Sequence, residues 1–239
     1  MNTLAAAIVL AATCGTTCAE PRAVAVRDGI PSDADVLYDG SSLEKWRNIN
    51  GGPARWTIQP DGALLVSKEG NTPSAVLASI YTKEEYTNFQ MHVEYRIPED
   101  IDLSHKWRGN SGIKIFGCYE VQIVDNYRNP LPPEKMCGAL YSRFPPMVNA
   151  SQKPGVWQTF DIVFHAPVVR DGEVASKARI TVFHNGVLVQ DNSQPVPYPS
   201  KPENLVRTSG SIELQSHNDN SKCISFRNVW IRRLDNLDE

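Results

Sequence analysis

Polar and apolar residues alternate with a period of two along much of the chain, the signature of strands that bury one face. The pattern is cleanest in Phe89-Gln90-Met91-His92-Val93-Glu94-Tyr95-Arg96-Ile97, where five apolar residues share one face and Gln90, His92, Glu94 and Arg96 the other. Pro98 ends it. Tyr119-Glu120-Val121-Gln122-Ile123-Val124-Asp125 repeats the design with Glu120 and Gln122 on its polar side, and residues 112–116 read as its hairpin neighbour across Gly117. In Ser211-Ile212-Glu213-Leu214-Gln215-Ser216-His217, the polar side carries Glu213, Gln215 and His217, and Ile212 and Leu214 oppose them. Two Glu-x-Gln strands with apolar backs imply a sheet that packs a core on one side and shows a polar, sugar-sized surface on the other.

Shorter signals complete the set. Residues 56–59 and 63–66 flank the turn Pro60-Asp61-Gly62, and residues 75–81 and 156–165 read as strands. Residues 179–184 and 187–190 bracket Asn185-Gly186, a strong hairpin signal. In the last strand, residues 223–233, the apolar phase shifts from Ile224 and Phe226 to Val229 and Ile231, which predicts a bulge near Arg227-Asn228. Residues 98–109 form an irregular polar loop carrying His105, Lys106, Trp107 and Arg108. Pro130, Pro132 and Pro133 keep residues 126–137 out of any strand or helix interior, and a loop this long beside a polar sheet face points to function. No stretch offers three turns of amphipathic helix. The sum is an all-β fold, an antiparallel β-sandwich of jelly-roll type.

The length of 239 residues, 41% of them hydrophobic, suits a single domain, placed at residues 36–236. Residues 1–19, small and apolar and ending in Thr17-Cys18-Ala19, read as an export signal, and residues 20–35, with Pro21 and Pro31, as a polar linker. The expected location is periplasmic or secreted, with lipid anchoring at Cys14 or Cys18 the lesser alternative, and the apolar run is too short for a membrane span. A net charge of 24 − 27 = −3 without a basic block leaves neither nucleic acid nor an anionic membrane as an evident partner. Cys118 and Cys137 either close the loop after the central strand as a disulfide or stay free in the core, with Cys223 left as an odd, buried thiol. No Cys-x-x-Cys or His-x-x-x-His pair marks a zinc site.

Leu37-Tyr38-Asp39-Gly40 with Trp46, Asn110-Ser111-Gly112-Ile113, Tyr119 to Asp125, Gly138-Ala139-Leu140-Tyr141, Leu214-Gln215-Ser216-His217 and Phe226-Arg227-Asn228-Val229 follow one another in an order that resembles the 3-keto-disaccharide hydrolase domain family. One departure is Trp157-Gln158, where that family usually has Trp-Asn. The resemblance implies a concanavalin A-like jelly roll, exported, that acts on glycosides whose glucose unit carries a ketone at the third carbon, and a separate 3-oxidising dehydrogenase to make that ketone.

A ketone at the third carbon acidifies the proton on the second, and its removal expels the group on the first, so the site needs a base, a stabiliser for the enediolate and an acid for the leaving oxygen. His217 is the first choice of base because imidazole titrates near working pH. Glu120 is the other, or else holds a divalent cation with Asp125, the only cofactor the chemistry suggests. Gln122, Gln215 and Glu213 are placed to bind sugar, with Tyr141, Arg143 and Trp107 just beyond the strands. Each has a plain structural reading: Glu120 and Gln122 a solvated strand face, His217 a loop cap, Asp125 a turn former, Trp107 a loop anchor. His92, Glu94 and Arg96 read as cross-strand salt bridging, and His165 and His184 as structural. Two rivals to the elimination enzyme remain, a lectin-like carbohydrate-binding module and a glycosidase acting on unmodified glycans, for which Glu213 supplies a second carboxylate if its strand neighbours that of Glu120.

Overall fold

The computed structural model describes residues 24–27, 29–66, 79–217 and 224–234. In chain order the strands are β1 (Val26–Arg27), β2 (Ile30–Pro31), β3 (Asp35–Tyr38), β4 (Trp46–Arg47), β5 (Thr57–Ile58), β6 (Leu64–Leu65), β7 (Ile80–Thr82) and β8 (Phe89–Arg96). There follow β9 (Ser111–Ile115), β10 (Tyr119–Ile123), β11 (Trp157–His165), β12 (Val168–Arg170), β13 (Glu173–Ser176) and β14 (Arg179–His184). The chain closes with β15 (Val187–Ser193), β16 (Ile212–Leu214) and β17 (Ser225–Arg233). The helices among the described residues are a 3-10 turn at Pro133–Lys135 and α1 (Pro202–Leu205). None is long and apolar enough to cross a membrane.

Two antiparallel sheets carry the fold. The smaller runs β10-β9-β16-β7-β4, and the larger runs β15-β14-β11-β8-β17-β6-β5 with β3 also paired to β17. Alternation decides which side of each strand meets the other sheet: β8 buries Phe89, Met91, Val93 and Tyr95, while Ile80, Ile113, Ile115, Val121, Ile123, Ile212 and Leu214 line the inner face of the smaller sheet. Aromatic rings bridge the gap, with Phe116 edge-on to Phe164 at 5.1 Å and Phe164 stacked on Phe89 at 5.3 Å. The protein is an all-β antiparallel sandwich, and the outer face of its smaller sheet is the polar surface expected from the Glu-x-Gln strands.

The local signals resolve as their residue types dictate. Asn185 and Gly186 both take positive φ in the β14–β15 turn, and β17 slips register against β8 between Arg227 and Trp230, the bulge expected there. On the outward face His92 Nδ1 is hydrogen-bonded with Asp161 at 2.7 Å, and Glu94 and Arg96 form ion pairs with Arg227 at 2.6 Å and Asp61 at 3.7 Å.

Three expectations change. The linker is not featureless, because β1 and β2 pair as a short hairpin and Arg232 Nε donates to both oxygens of Asp33 at 2.8 Å. Asp171-Gly172, which the sequence marks only as a loop, turns a further hairpin, β12–β13, whose short, exposed strands give almost no alternation to read. Cys118 and Cys137 are free buried thiols, Cys137 lying 3.2 Å from Tyr95 Oη, so the disulfide alternative is set aside. The leader, the first part of the 75–81 strand and Cys223 lie outside the described residues.

Candidate active site

Register assembles the polar face. The tight turn at Phe116-Gly117, both at positive φ, folds β9 onto β10 and sets Lys114 opposite Glu120. On the other side of β9, Lys114 faces Glu213 of β16, which faces Tyr81 of β7, which faces Arg47 of β4. Beyond β10 the chain returns after the Pro-rich loop, where Val121 bridges Leu140 and Tyr141 N–H donates to the Glu120 carbonyl at 2.9 Å. Directly opposed residues share a face, so Tyr141, Glu120, Lys114, Glu213, Tyr81 and Arg47 form one polar row across the sheet. A second row runs beside it: Gln122 faces Gly112, whose carbonyl accepts from Gln215 N–H at 3.0 Å, and Ser79 Oγ accepts from Ser216 N–H at 3.0 Å.

Gly112 is there because of Glu120. A Cβ at that position would lie 2.6 Å from Glu120 Oε1, so the missing side chain makes the cradle over which the carboxylate folds. Glu120 Oε2 stands 3.9 Å from Lys114 Nζ, and only 14% of the Glu120 side chain is exposed. With its amide turned nitrogen-first, Gln122 donates to Glu120 Oε1 at 3.3 Å. Gln215 Oε1 is buried without a hydrogen-bond partner among the described residues, an acceptor open to a ligand hydroxyl.

Burial sets the electrostatics. It pushes the Glu120 carboxyl up to about 6, opposed by the Lys114 ammonium, reinforced by the Glu213 charge and opposed again by His217. His217, in the chain just past β16, therefore sits close enough to act electrostatically on Glu120. Glu213 is 6% exposed and is also raised, mainly by burial, against the pull of Lys114 and of hydrogen bonding from Ser79 and Tyr81. Tyr81 is held above its usual value by burial and then by the Glu213 charge. Two carboxyls whose charged forms are disfavoured, with one ammonium between them, are suited to proton transfer near neutral pH.

The other expected site residues fall elsewhere. Asp125 is 1% exposed; Arg108 Nε donates to its Oδ2 at 2.6 Å and Tyr127 N–H to its Oδ1 at 2.9 Å, so it staples the 98–110 loop to the Pro-rich loop and is not open to substrate. Arg143 is likewise committed, donating to the carbonyls of Val196 at 2.8 Å and Pro197 at 3.0 Å and to Ser200 Oγ at 2.8 Å. Trp107 packs partly on the core with Lys106 and Lys135 over its ring, at 5.6 and 5.8 Å, and Lys135 is also 5.9 Å from the Tyr141 ring. Sequence reasoning missed Lys114, Tyr81 and Arg47. The first was within reach, since a hairpin closing across Gly117 puts Lys114 opposite Glu120; the other two depend on strand pairings distant in sequence.

The residues do not fit a divalent cation held by Glu120 and Asp125. Asp125 is occupied by Arg108, and Lys114 takes the row position between Glu120 and Glu213. Among the described residues no three His, Cys, Asp or Glu come together as a metal cluster.

The chain belongs to the family of the 3-keto-alpha-glucoside-1,2-lyase-like domain, whose model matches residues 33–232. It is similar to the structure of a candidate glycosyl hydrolase from Parabacteroides distasonis ATCC 8503, with 39% identity, a TM-score of 0.76 and 85% of each chain covered. Two further candidate glycosyl hydrolases from that organism match at a TM-score of 0.60, one at 25% identity over 84% of this chain and 99% of that one, the other at 20% over 84% and 94%. No curated protein matches the chain.

Proposed function

We propose that the protein cleaves 3-keto-glucosides by proton abstraction and elimination. The observation that carries this reading is Glu120, a carboxyl only 14% exposed and 3.9 Å from the Lys114 ammonium on the polar face of the sheet, pushed up to about 6 by desolvation. Glu120 takes the proton from the second carbon, and the electron pair moves toward the ketone to give an enediolate. Lys114 stabilises the developing oxyanion, where a fixed charge in a largely buried site acts strongly. The pair then returns to form the double bond between the first and second carbons as the bond to the leaving oxygen breaks. The proton that Glu120 has taken then passes to that oxygen as it leaves, while Glu213, backed by Tyr81, faces Lys114 from β16. Addition of water across the new double bond completes net hydrolysis.

The base falls to Glu120 rather than His217 because Glu120 is the group that register centres on the row beside the ammonium. His217 acts on the Glu120 carboxyl from just past β16. Gln122 and Gln215 bind ring hydroxyls. The 3-ketone itself has to come from a separate dehydrogenase acting at the third carbon, and export is the location in keeping with residues 1–19.

A glycosidase for unmodified glycans fits poorly. β9 separates the strands of Glu120 and Glu213. Lys114 stands between the two glutamates in the row, where a retaining or inverting pair needs the sugar's anomeric carbon and its water.

Turnover of a 3-keto-α-glucoside beside its unoxidised parent tests the reading. Only the keto compound is expected to react, and Glu120→Gln should lower kcat by roughly 10²- to 10⁴-fold. Cleavage of the parent at a comparable rate would make the protein an ordinary glycosidase. Glycan binding without turnover of either would make it a lectin-like module.

A further inference from the structure

Beyond Tyr141 the catalytic row continues into a cluster that the elimination does not use. Tyr141 is directly opposite Glu120, and the Lys135 ammonium lies between two rings, 5.9 Å from Tyr141 and 5.8 Å from Trp107. Lys106 stands over the other part of the same wall, 5.6 Å from Trp107. Among the described residues no carboxylate lies within ion-pair distance of Lys135 Nζ, although Glu134 shares its 3-10 turn.

The wall is fixed in place. Trp107 is carried on the 98–110 loop, and Lys135 and Tyr141 on the Pro-rich loop and its return. The buried Arg108–Asp125 pair joins the two loops, and Asn129 Nδ2 adds bonds to the carbonyls of Lys106 at 3.0 Å and Asp125 at 2.7 Å. The rings are therefore held in a set relation to Glu120, which gives Asp125 a positioning role in place of a catalytic one.

We infer that Trp107, Lys135 and Tyr141 form the leaving-group subsite, and that Lys135 selects aglycones bearing a carboxylate or similar anion on a ring. This rests on the elimination reading for the placing of the glucose unit, which sets both its second carbon and its leaving oxygen at Glu120, next to Tyr141, so that the aglycone runs out over Tyr141 toward Lys135. The two rings supply apolar contact for a sugar or aromatic aglycone, and an ammonium held against both without a carboxylate partner supplies the charge for its acid group.

Binding can be measured without chemistry. The probes are 4-carboxyphenyl α-glucoside and phenyl α-glucoside, both unoxidised, titrated into the full-length protein by calorimetry. Wild type is expected to bind the carboxylate about tenfold more tightly, a preference that weakens as salt is raised. Lys135→Met should bring the ratio of the two Kd values close to one, and Lys135→Arg should restore it. Equal affinity of wild type for both probes, or a preference that survives in Lys135→Met, would overturn the assignment. Since neither probe carries a ketone, a preference that depends on Lys135 in a protein unable to turn over keto-glucosides would sink the elimination reading alone.

Discussion

Glu120 concentrates the account at the scale of single residues. Its carboxyl is raised from 4.5 to about 6 mainly by burial, and a general base must be deprotonated, so kcat/KM should rise with pH through a limb near 6. Lys114 pulls that value down; Lys114→Met should move the limb to higher pH as well as lowering the plateau, which a pH–rate profile of the variant checks. A limb that stays put would separate Lys114 from the base. The sequence showed this residue by alternation alone, which Glu120 shares with solvated strand faces. What set it apart, the cradle at Gly112 and the ammonium across the hairpin, needs the register of β9 on β10.

Among elements, the loops at the rim matter as much as the strands. Strand β8 and the hairpins at Asn185-Gly186 and Gly117 were legible because local turn chemistry and two-residue alternation agree. The order β10-β9-β16-β7-β4 was not legible, because it joins segments far apart in the chain, and no local pattern records that Glu213 is two strands from Glu120. Asp125 stayed open between site residue and turn former for a related reason: Tyr127 N–H bonds it as a turn former, but an acid that ends a polar strand looks like a site residue until its partner, Arg108 on another loop, is known. Removing one member of a buried pair leaves the other charge uncompensated, so Asp125→Ala should destabilise the protein by about 3–5 kcal/mol in urea unfolding. The same change should weaken substrate binding by loosening the Trp107 wall. Wild-type stability in that variant would mean the pair does not hold the loops together.

For the whole molecule, the interior carries a titratable group that the site does not need. His184 is buried among Phe160, Tyr95 and Gln158, with Nε2 2.9 Å from Tyr95 Oη, and burial lowers its pKa to about 4. A histidine with a folded pKa below its unfolded value near 6.5 leaves the unfolded chain as the better proton acceptor. Its contribution to stability is therefore whole above about 6.5 and is lost as pH falls toward 4, by on the order of 3 kcal/mol. Glu120 works the other way over the narrower span from about 6 to 4.5, where the folded state takes up the proton first. The comparison that isolates the histidine is thus wild type against His184→Gln, with urea midpoints taken across that range: the variant should lose much of the acid slope, and equal slopes would refute the assignment.

The central claim is that the hydrogen on the second carbon leaves before the glycosidic bond breaks. Following a 3-keto-α-glucoside in deuterated water by NMR and mass spectrometry tests this most directly. The account predicts that every product molecule lacks the original hydrogen at the second carbon, either replaced by deuterium in the hydrated sugar or absent from the unsaturated one. Product that keeps that hydrogen while the bond at the first carbon is cut would show direct displacement and would contradict it.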